Sequence, residues 1–172
     1  MKEKEKRELF NQVYQDNKEL IFRLCRGFLG PGPEAEDLFQ EIFLKVWNNL
    51  ESFRGQSKVS TWIYRIGTNT ALLYRKRKAR RQNREAPLLN TAADRPHTAA
   101  SELEEKIRYD RQLDALLQLI QSLSEMDRII MTMLLEGFSY KEIAEVSGLK
   151  VNHVGVRINR IKKHLRKKIK VS

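Results

Sequence analysis

Apolar residues recur at steps of three and four along most of this 172-residue chain, and this spacing is its strongest constraint on the fold. Such a period places apolar side chains on one face of an α-helix, whereas a half-buried β-strand alternates at every second residue. We find no convincing run of that alternation. The sequence therefore predicts an all-α protein.

The N-terminal half divides into three predicted helices. The segment GPGP at 30–33 ends the first, expected over about 5–29, because glycine and proline break helices. The second is expected over about 34–50, and a third begins near 57–60. The third carries a stripe expected to be buried, formed by Val59, Trp62, Ile63, Ile66 and Leu73.

The periodicity disappears in the segment EAPLLNTAADRPHTAAS, 85–101. Two prolines and many small residues are typical of a linker. We therefore expect two small helical domains, one over 1–85 and one over 105–172, joined by a flexible linker over 86–104. Helices resume at about 102–121.

Residues 139–165 show the pattern of a helix-turn-helix. Ser139 and Glu142 have the spacing of a capping box, which marks a helix start. Ala144 is small where two steeply crossed helices nearly touch, and Gly148 suits a tight turn with left-handed geometry. The residues expected to fill the wedge between the two helices are Ile143, Leu149, Val154 and Ile158.

Positive charge is concentrated in two segments of this chain, whose net charge is +11. Residues 65–84 carry 8 basic side chains and 148–172 carry 9, and neither segment has an acidic one. Two such surfaces indicate contact with a polyanion at two places. A membrane surface is the competing polyanion, but neither segment shows the aromatic-rich apolar face of an interfacial helix. We therefore favour nucleic acid and expect no direct membrane insertion.

The last helix, expected over about 150–169, is the predicted duplex-reading element. Its N-terminal half would present side chains to base edges and flanking phosphates in the major groove. A solvated basic tail is an equal alternative for its final lysines, and a capping or packing role is an equal alternative for His153. The predicted duplex contacts are Asn152, His153, Val156, Arg157, Asn159, Arg160 and Lys163.

Aromatic residues precede the first basic segment, which single-stranded sites need and duplex sites rarely do. An unpaired base gains about 1–3 kcal/mol by stacking on an aromatic ring while a positive groove follows its backbone. Phe53, Trp62 and Tyr64, followed by the basic run 75–84, fit a surface that holds melted DNA. The alternative is that these rings lie in the core, which we prefer for Trp62. The predicted phosphate contacts are Arg75, Lys76, Arg77, Lys78, Arg80 and Arg81.

Nothing in the sequence indicates catalysis. The single Cys25 lies among apolar residues and is interpreted as core filling in a reducing cytoplasm. The histidines are scattered, and the chain has no HExxH, no phosphate-binding glycine loop and no Cys/His cluster. No secretory or transmembrane segment is visible. We expect a cytoplasmic protein that is not an enzyme and needs no metal or cofactor.

Two blocks resemble one known family. AEDLFQEIFLKVWNNLESFRGQSKVSTWIYRIGTNTA is similar to region 2, and LSEMDRIIMTMLLEGFSYKEIAEVSGLKVNHVGVRINRIKKHLRK to region 4, of bacterial RNA polymerase sigma factors of the extracytoplasmic-function (ECF) group. The resemblance covers nearly the whole chain outside the linker. It implies a factor that binds core RNA polymerase, at the β′ clamp helices and the β flap, and directs promoter-specific initiation. An anti-sigma factor is a further implied partner.

The resemblance also assigns roles to residues. It implies docking on the polymerase by Asp37, Gln40 and Glu41, which share one helix face, although such a face taken alone is usually just solvated. It implies minus-35 recognition by the last helix, and minus-10 recognition by a loop at 54–61 with a base pocket near Asn69. The implied melted-strand contacts are Phe53, Arg54, Ser57, Lys58, Thr61, Tyr64, Arg65 and Asn69.

The last helix departs from the commoner family pattern. Lys150 stands where Ser or Pro usually caps the recognition helix, and Gly155 stands where a basic residue is usual. A different upstream DNA element is therefore expected. The rival interpretation within DNA binding is a dimeric repressor or activator with a helical sensor domain, which would bind duplex DNA without polymerase.

Overall fold

The computed structural model describes residues 3–82 and 119–169. All regular secondary structure in these two stretches is helical, which confirms the all-α prediction. We call residues 3–82 the N-terminal bundle and residues 119–169 the C-terminal bundle. The elements are α1 (Glu3–Leu29), α2 (Pro33–Asn49), a 3-10 turn (Leu50–Ser52), α3 (Val59–Gln82), α4 (Glu125–Leu135), α5 (Tyr140–Ser147) and α6 (Val151–Ile169).

The predicted linker over 86–104 and most of the helix predicted over 102–121 lie outside the described residues. The other predicted helix boundaries agree with the structure to within two residues. Predicted starts near 5, 34, 57–60 and 150 correspond to observed starts at Glu3, Pro33, Val59 and Val151.

The N-terminal bundle packs α2 and α3 against α1. Pro33 occupies the first turn of α2, where its missing N–H costs nothing, and Glu34 and Glu36 follow in the same turn. The apolar face that α2 turns towards the rest of the bundle is buried or half-buried along its whole length. Its fully buried members include Leu38, Ile42 and Val46.

Only the N-terminal part of helix α3 contributes buried side chains to the core. Trp62, Ile63 and Ala71 are buried, so the core placement of Trp62 is confirmed. Leu73, predicted to be buried, is 51% exposed, and that prediction is wrong. Beyond Ala71 no described side chain of α3 is buried, because the helix continues past the packed part of the bundle.

The C-terminal bundle contains the predicted helix-turn-helix, formed by α5 and α6. The Ser139 hydroxyl caps the Glu142 backbone N–H, and the Glu142 carboxylate accepts the Ser139 N–H, so the capping box is complete. Gly148 ends α5 with φ of 72°, the left-handed conformation that glycine adopts without steric cost. The predicted wedge residues Ile143, Val154 and Ile158 are fully buried, and Leu149 is half-buried.

The two bundles pack directly on each other, and their buried side chains form one hydrophobic cluster. Helix α1 lies against α4, and α3 lies against α5. A Cβ atom at Gly27 would lie 3.0 Å from the Thr132 Oγ1, so the absent side chain permits the close approach of α1 and α4. The Arg128 guanidinium donates a hydrogen bond to the Phe28 carbonyl at 2.9 Å across the same junction.

We predict that Gly67→Val lowers the free energy of unfolding by about 1–3 kcal/mol, as expected for overpacking a core. A Cβ atom at Gly67 would lie 2.8 Å from the Leu24 Cδ2, with Ile42 and Ile21 just behind. The control is Gly155→Val, also within a helix, where the Cβ would meet only the Tyr140 ring at 3.5 Å. Urea denaturation measures both variants, and equal effects would contradict the assigned packing.

Candidate nucleic-acid interface

Helix α6 separates an apolar face from a polar one. Val154, Ile158, Ile161 and Leu165 are buried against the C-terminal bundle. The opposite face is open to solvent, and Val156 on it is 70% exposed. Six of the seven predicted duplex contacts lie on this exposed surface: Asn152, His153, Val156, Asn159, Arg160 and Lys163.

Arg157, the seventh predicted contact, is held by a carboxylate instead of projecting freely. Its Nε lies 2.5 Å from the Oδ1 of Asp127, which belongs to the first turn of α4. The Oδ2 of Asp127 accepts a hydrogen bond from Ser124 at 2.8 Å and lies 3.8 Å from the Nη2 of Arg160. One buried acid therefore contacts both arginines, and their predicted contact with duplex DNA stays a prediction.

Because Gly155 has no side chain, part of the Tyr140 ring next to it stays exposed to solvent. The Gly155 backbone has no positive φ, and a Cβ atom would make only an ordinary contact with the Tyr140 ring, so packing does not require glycine here. Tyr140 is 41% exposed at the start of α5. Sequence reasoning missed Tyr140, although an aromatic residue directly after the capping Ser139 was the available signal. Apolar side chains in a major groove contact the thymine methyl group.

The start of α3 and the loop before it hold most of the predicted melted-strand residues. Phe53 is half-buried with its ring centroid 5.1 Å from that of Trp62. Ser57 is also half-buried. The remaining exposed members of the predicted set are Arg54, Lys58, Arg65 and Asn69.

Thr61 and Tyr64 are not at the surface, so their predicted exposure is corrected. Thr61 is 1% exposed and Tyr64 is fully buried. The Tyr64 ring lies 5.0 Å from that of Phe138 in the C-terminal bundle, which covers it, and burial raises its pKa well above the ordinary value. Neither hydroxyl has a hydrogen-bond partner among the described residues.

Four ion pairs join basic residues of the N-terminal bundle to glutamates of the C-terminal bundle. The Arg23 guanidinium binds the Glu136 carboxylate through two nitrogens, and this pairing raises the pKa of Arg23. The other three pairs have N–O distances of 2.9, 3.7 and 3.2 Å. They are Lys58–Glu142, Arg65–Glu145 and Arg75–Glu125.

The basic half of α3 is not the uniform cationic surface that its sequence predicts. Arg77 binds both carboxylate oxygens of Glu41, and Lys78 binds Glu34, so α2 neutralises part of this surface. These four side chains line a cleft of about 390 Å³ between α2 and α3. Lys76, Arg80 and Arg81 are exposed and form no ion pair within the described residues.

One residue of the predicted docking face on α2 already forms ion pairs within the protein. Asp37 and Gln40 are exposed, whereas Glu41 is half-buried and contacts Lys45 and Arg77. Burial opposes ionisation of Glu41, but hydrogen bonds from Arg77 and Lys45 outweigh it and lower its pKa.

The described residues contain no group of three or more His, Cys, Asp or Glu side chains that could hold a metal ion, and no helix among them could cross a membrane. Cys25 is buried, as expected for a core residue, and burial raises the pKa of its thiol to about 12.

The carboxylate of Glu142 makes the start of α5 sensitive to acid. The backbone N–H of Ser139 and the ammonium of Lys58 lower the pKa of Glu142 from 4.5 to about 2. A depressed carboxyl pKa contributes stability that is complete above about pH 4.5 and is lost as the pH falls towards 2. We predict that Glu142→Gln lowers the free energy of unfolding by about 1 kcal/mol at pH 7, because hydrogen bonds to charged groups are stronger.

Urea midpoints measured between pH 7 and pH 2.5 check this prediction. The difference between the Glu142→Gln variant and the unmodified protein should shrink below pH 4.5. Glu145→Gln, on the same helix but outside the capping box, is the control. A difference independent of pH would show that the Glu142 carboxylate does not stabilise the helix start through its charge.

Comparison with known proteins places the chain in a family. Residues 13–81 match the family Sigma-70 region 2, and residues 113–165 match the family Sigma-70, region 4. The ECF RNA polymerase sigma-E factor of Haemophilus influenzae is 34% identical over 141 residues, which are 79% of this chain and 75% of that protein. The ECF RNA polymerase sigma factor SigW of Bacillus subtilis is 30% identical over 166 residues, covering 94% and 89% of the two chains.

Solved structures show the same fold. The sigma factor RpoE in complex with the anti-sigma factor NepR, from Bartonella quintana, has a TM-score of 0.70 at 21% identity, over 95% of this chain and 98% of that one. CnrH in complex with the cytosolic domain of CnrY has a TM-score of 0.69 at 22% identity, over 96% and 90%. The helical fold, the helix-turn-helix and the two matched regions establish that this chain belongs to the ECF group of the sigma-70 family of RNA polymerase sigma factors.

Proposed function

We propose that this ECF sigma factor, which directs promoter-specific initiation with core RNA polymerase, divides the promoter between its two bundles. The C-terminal bundle reads the paired minus-35 element, and the N-terminal bundle docks on the polymerase and holds the melted minus-10 strand. The observation that carries this proposal is that α6 has a buried apolar stripe and an exposed polar face. The corresponding domain limits are 1–85 and 105–172, with a linker over 86–104.

Minus-35 recognition is assigned to the exposed face of α6. Asn152, Asn159 and Arg160 can hydrogen-bond to base edges, and Val156 can contact a thymine methyl group. The side chain of Lys163 lies farther along the helix, where phosphate contact is the natural role. Loss of a basic side chain at Gly155 favours a more apolar contact there, completed by Tyr140.

Minus-10 recognition requires the two bundles to separate from the arrangement described above. Phe138 covers Tyr64. Glu142 forms an ion pair with Lys58, and Glu145 forms one with Arg65. A melted strand cannot reach Tyr64 while Phe138 covers it, and it would have to displace glutamates from the exposed Lys58 and Arg65. We therefore assign the closed arrangement to the protein before it engages the promoter.

Docking on the polymerase β′ clamp helices is assigned to Asp37, Gln40 and Glu41, and contact with the β flap to the C-terminal bundle. An anti-sigma factor that stabilises the closed arrangement is a further proposed partner, supported by the structure of RpoE in complex with the anti-sigma factor NepR. The protein acts in the cytoplasm with the polymerase, and the chemistry of initiation belongs to that enzyme, so the sigma factor itself has no catalytic activity.

Transcription in vitro tests the function directly. Purified protein and core polymerase are incubated with a library of promoter fragments, and transcript start sites are mapped. Initiation at defined sites that requires the added protein is the expected result. Tight, specific duplex binding without polymerase, and no initiation with it, would favour the dimeric repressor or activator instead.

We predict that Asn69→Ala lowers open-complex formation about tenfold while leaving closed-complex binding nearly unchanged. Asn69 is exposed on α3, and a flipped base must recover the few kcal/mol that unstacking costs. Permanganate reactivity of unpaired thymines measures opening, and filter binding measures the closed complex. Asn11→Ala, at an exposed position of α1, is the control. Equal losses in both assays would remove Asn69 from the base pocket.

We predict that Asp37→Ala weakens association with core polymerase about thirtyfold or more, since an interface hot spot contributes at least about 2 kcal/mol. Asp37 is exposed and forms no described ion pair, so its removal should not disturb the bundle. Glu36→Ala, the adjacent exposed acid, is the control. Fluorescence titration with labelled core enzyme measures both. Equal affinity of the two variants would exclude Asp37 from the docking face.

A further inference from the structure

Asp127 is the only acidic side chain within the described part of the chain that contacts the arginines of the recognition helix. It is 9% exposed, whereas the surface of α6 around it is strongly basic. An acid beside a DNA-binding helix opposes phosphate binding by simple repulsion. A role in sequence recognition would explain why an acid that weakens phosphate binding lies at this position.

The carboxylate is fixed before any DNA arrives. The Ser124 hydroxyl donates to the Oδ2 of Asp127 at 2.8 Å and also caps the Asp127 backbone N–H at 3.3 Å. Both groups belong to the start of α4, so the acid has little freedom to rotate. The hydrogen bond from the Arg157 Nε to the Oδ1 of Asp127 therefore restricts the arginine side chain as well.

Arg157 remains able to bind a base while it is held. A guanidinium has five N–H donors, and Asp127 accepts from Nε alone, so the two terminal nitrogens have no hydrogen bond within the described residues. The side chain is 27% exposed, which leaves its end accessible beside the groove-facing surface. Arg160, one turn further along α6, is 69% exposed and lies within 3.8 Å of the same carboxylate.

We propose that Asp127 is a positioning residue that sets the base specificity of α6 by holding Arg157 and orienting Arg160. This inference rests on the proposed minus-35 role of the C-terminal bundle and deepens it. A positioned arginine can make the paired hydrogen bonds that identify guanine, whereas a mobile one binds phosphates wherever they are. Asp127 therefore lowers affinity for all DNA and raises the preference for the correct sequence.

The test uses the complete chain with core polymerase and a promoter library randomised in the upstream element. Base preferences of the unmodified protein are measured first. Asp127→Asn should then reduce discrimination at one or two base positions about tenfold, the effect of losing one paired contact. Competition by random-sequence duplex should become stronger at the same time, because a negative charge has been removed.

Glu125→Gln is the matched control, since it removes one charge from the same turn of α4 without touching α6. It should leave every base preference unchanged. Arg157→Lys keeps the positive charge but loses the planar fork, and it should weaken discrimination at the same positions as Asp127→Asn. This second variant keeps the proposal testable if Asp127→Asn fails to fold, which thermal unfolding reveals.

The outcomes separate the two proposals. If the unmodified holoenzyme shows no upstream base preference, the minus-35 role itself is overturned. If the unmodified holoenzyme is selective and both Asp127→Asn and Arg157→Lys are equally selective, only the role of Asp127 is overturned. A uniform loss of initiation on all promoters with Asp127→Asn would assign this residue to stability alone.

Discussion

The direct packing of the C-terminal bundle on the N-terminal bundle determines what the rest of this structure can do. The contact combines a continuous apolar cluster with four ion pairs at its edge. Exposed ion pairs contribute little stability, typically below about 1 kcal/mol each, so the apolar contact holds the bundles together. The charged pairs favour this register, because sliding the bundles past each other would move each basic group away from its own carboxylate.

The same acidic residues explain why a protein with net charge +11 does not present a uniformly positive surface. Glutamates on α2 and on the C-terminal bundle face a substantial part of the basic surface of α1 and α3. A polyanion would compete for these cations with carboxylates that are already in place. In the function proposed above, promoter DNA displaces these carboxylates, and the cost of displacement favours a ligand that offers many phosphates at once.

Much of the fold could be predicted from the sequence, because helical periodicity, the GPGP break and the capping box are local signals. Trp62 was correctly placed in the core for the same reason. Tyr64 and Thr61 could not be placed, since the residues that bury them belong to the other bundle and no local pattern reveals that contact. The Asp127–Arg157 pair was missed likewise, because its partners lie 30 residues apart in the sequence. The predicted roles in promoter and polymerase contact remain predictions.

The hydrogen bond from Arg128 to the Phe28 carbonyl ties the end of α1 to a residue of the other bundle. Helix ends carry carbonyls that need an external partner, and here α4 supplies one. When the bundles part, this carbonyl turns to solvent and the final turn of α1 loses its anchor. That turn adjoins GPGP at 30–33, so separation of the bundles should change the solvent exposure of a short segment outside both predicted DNA-contacting surfaces.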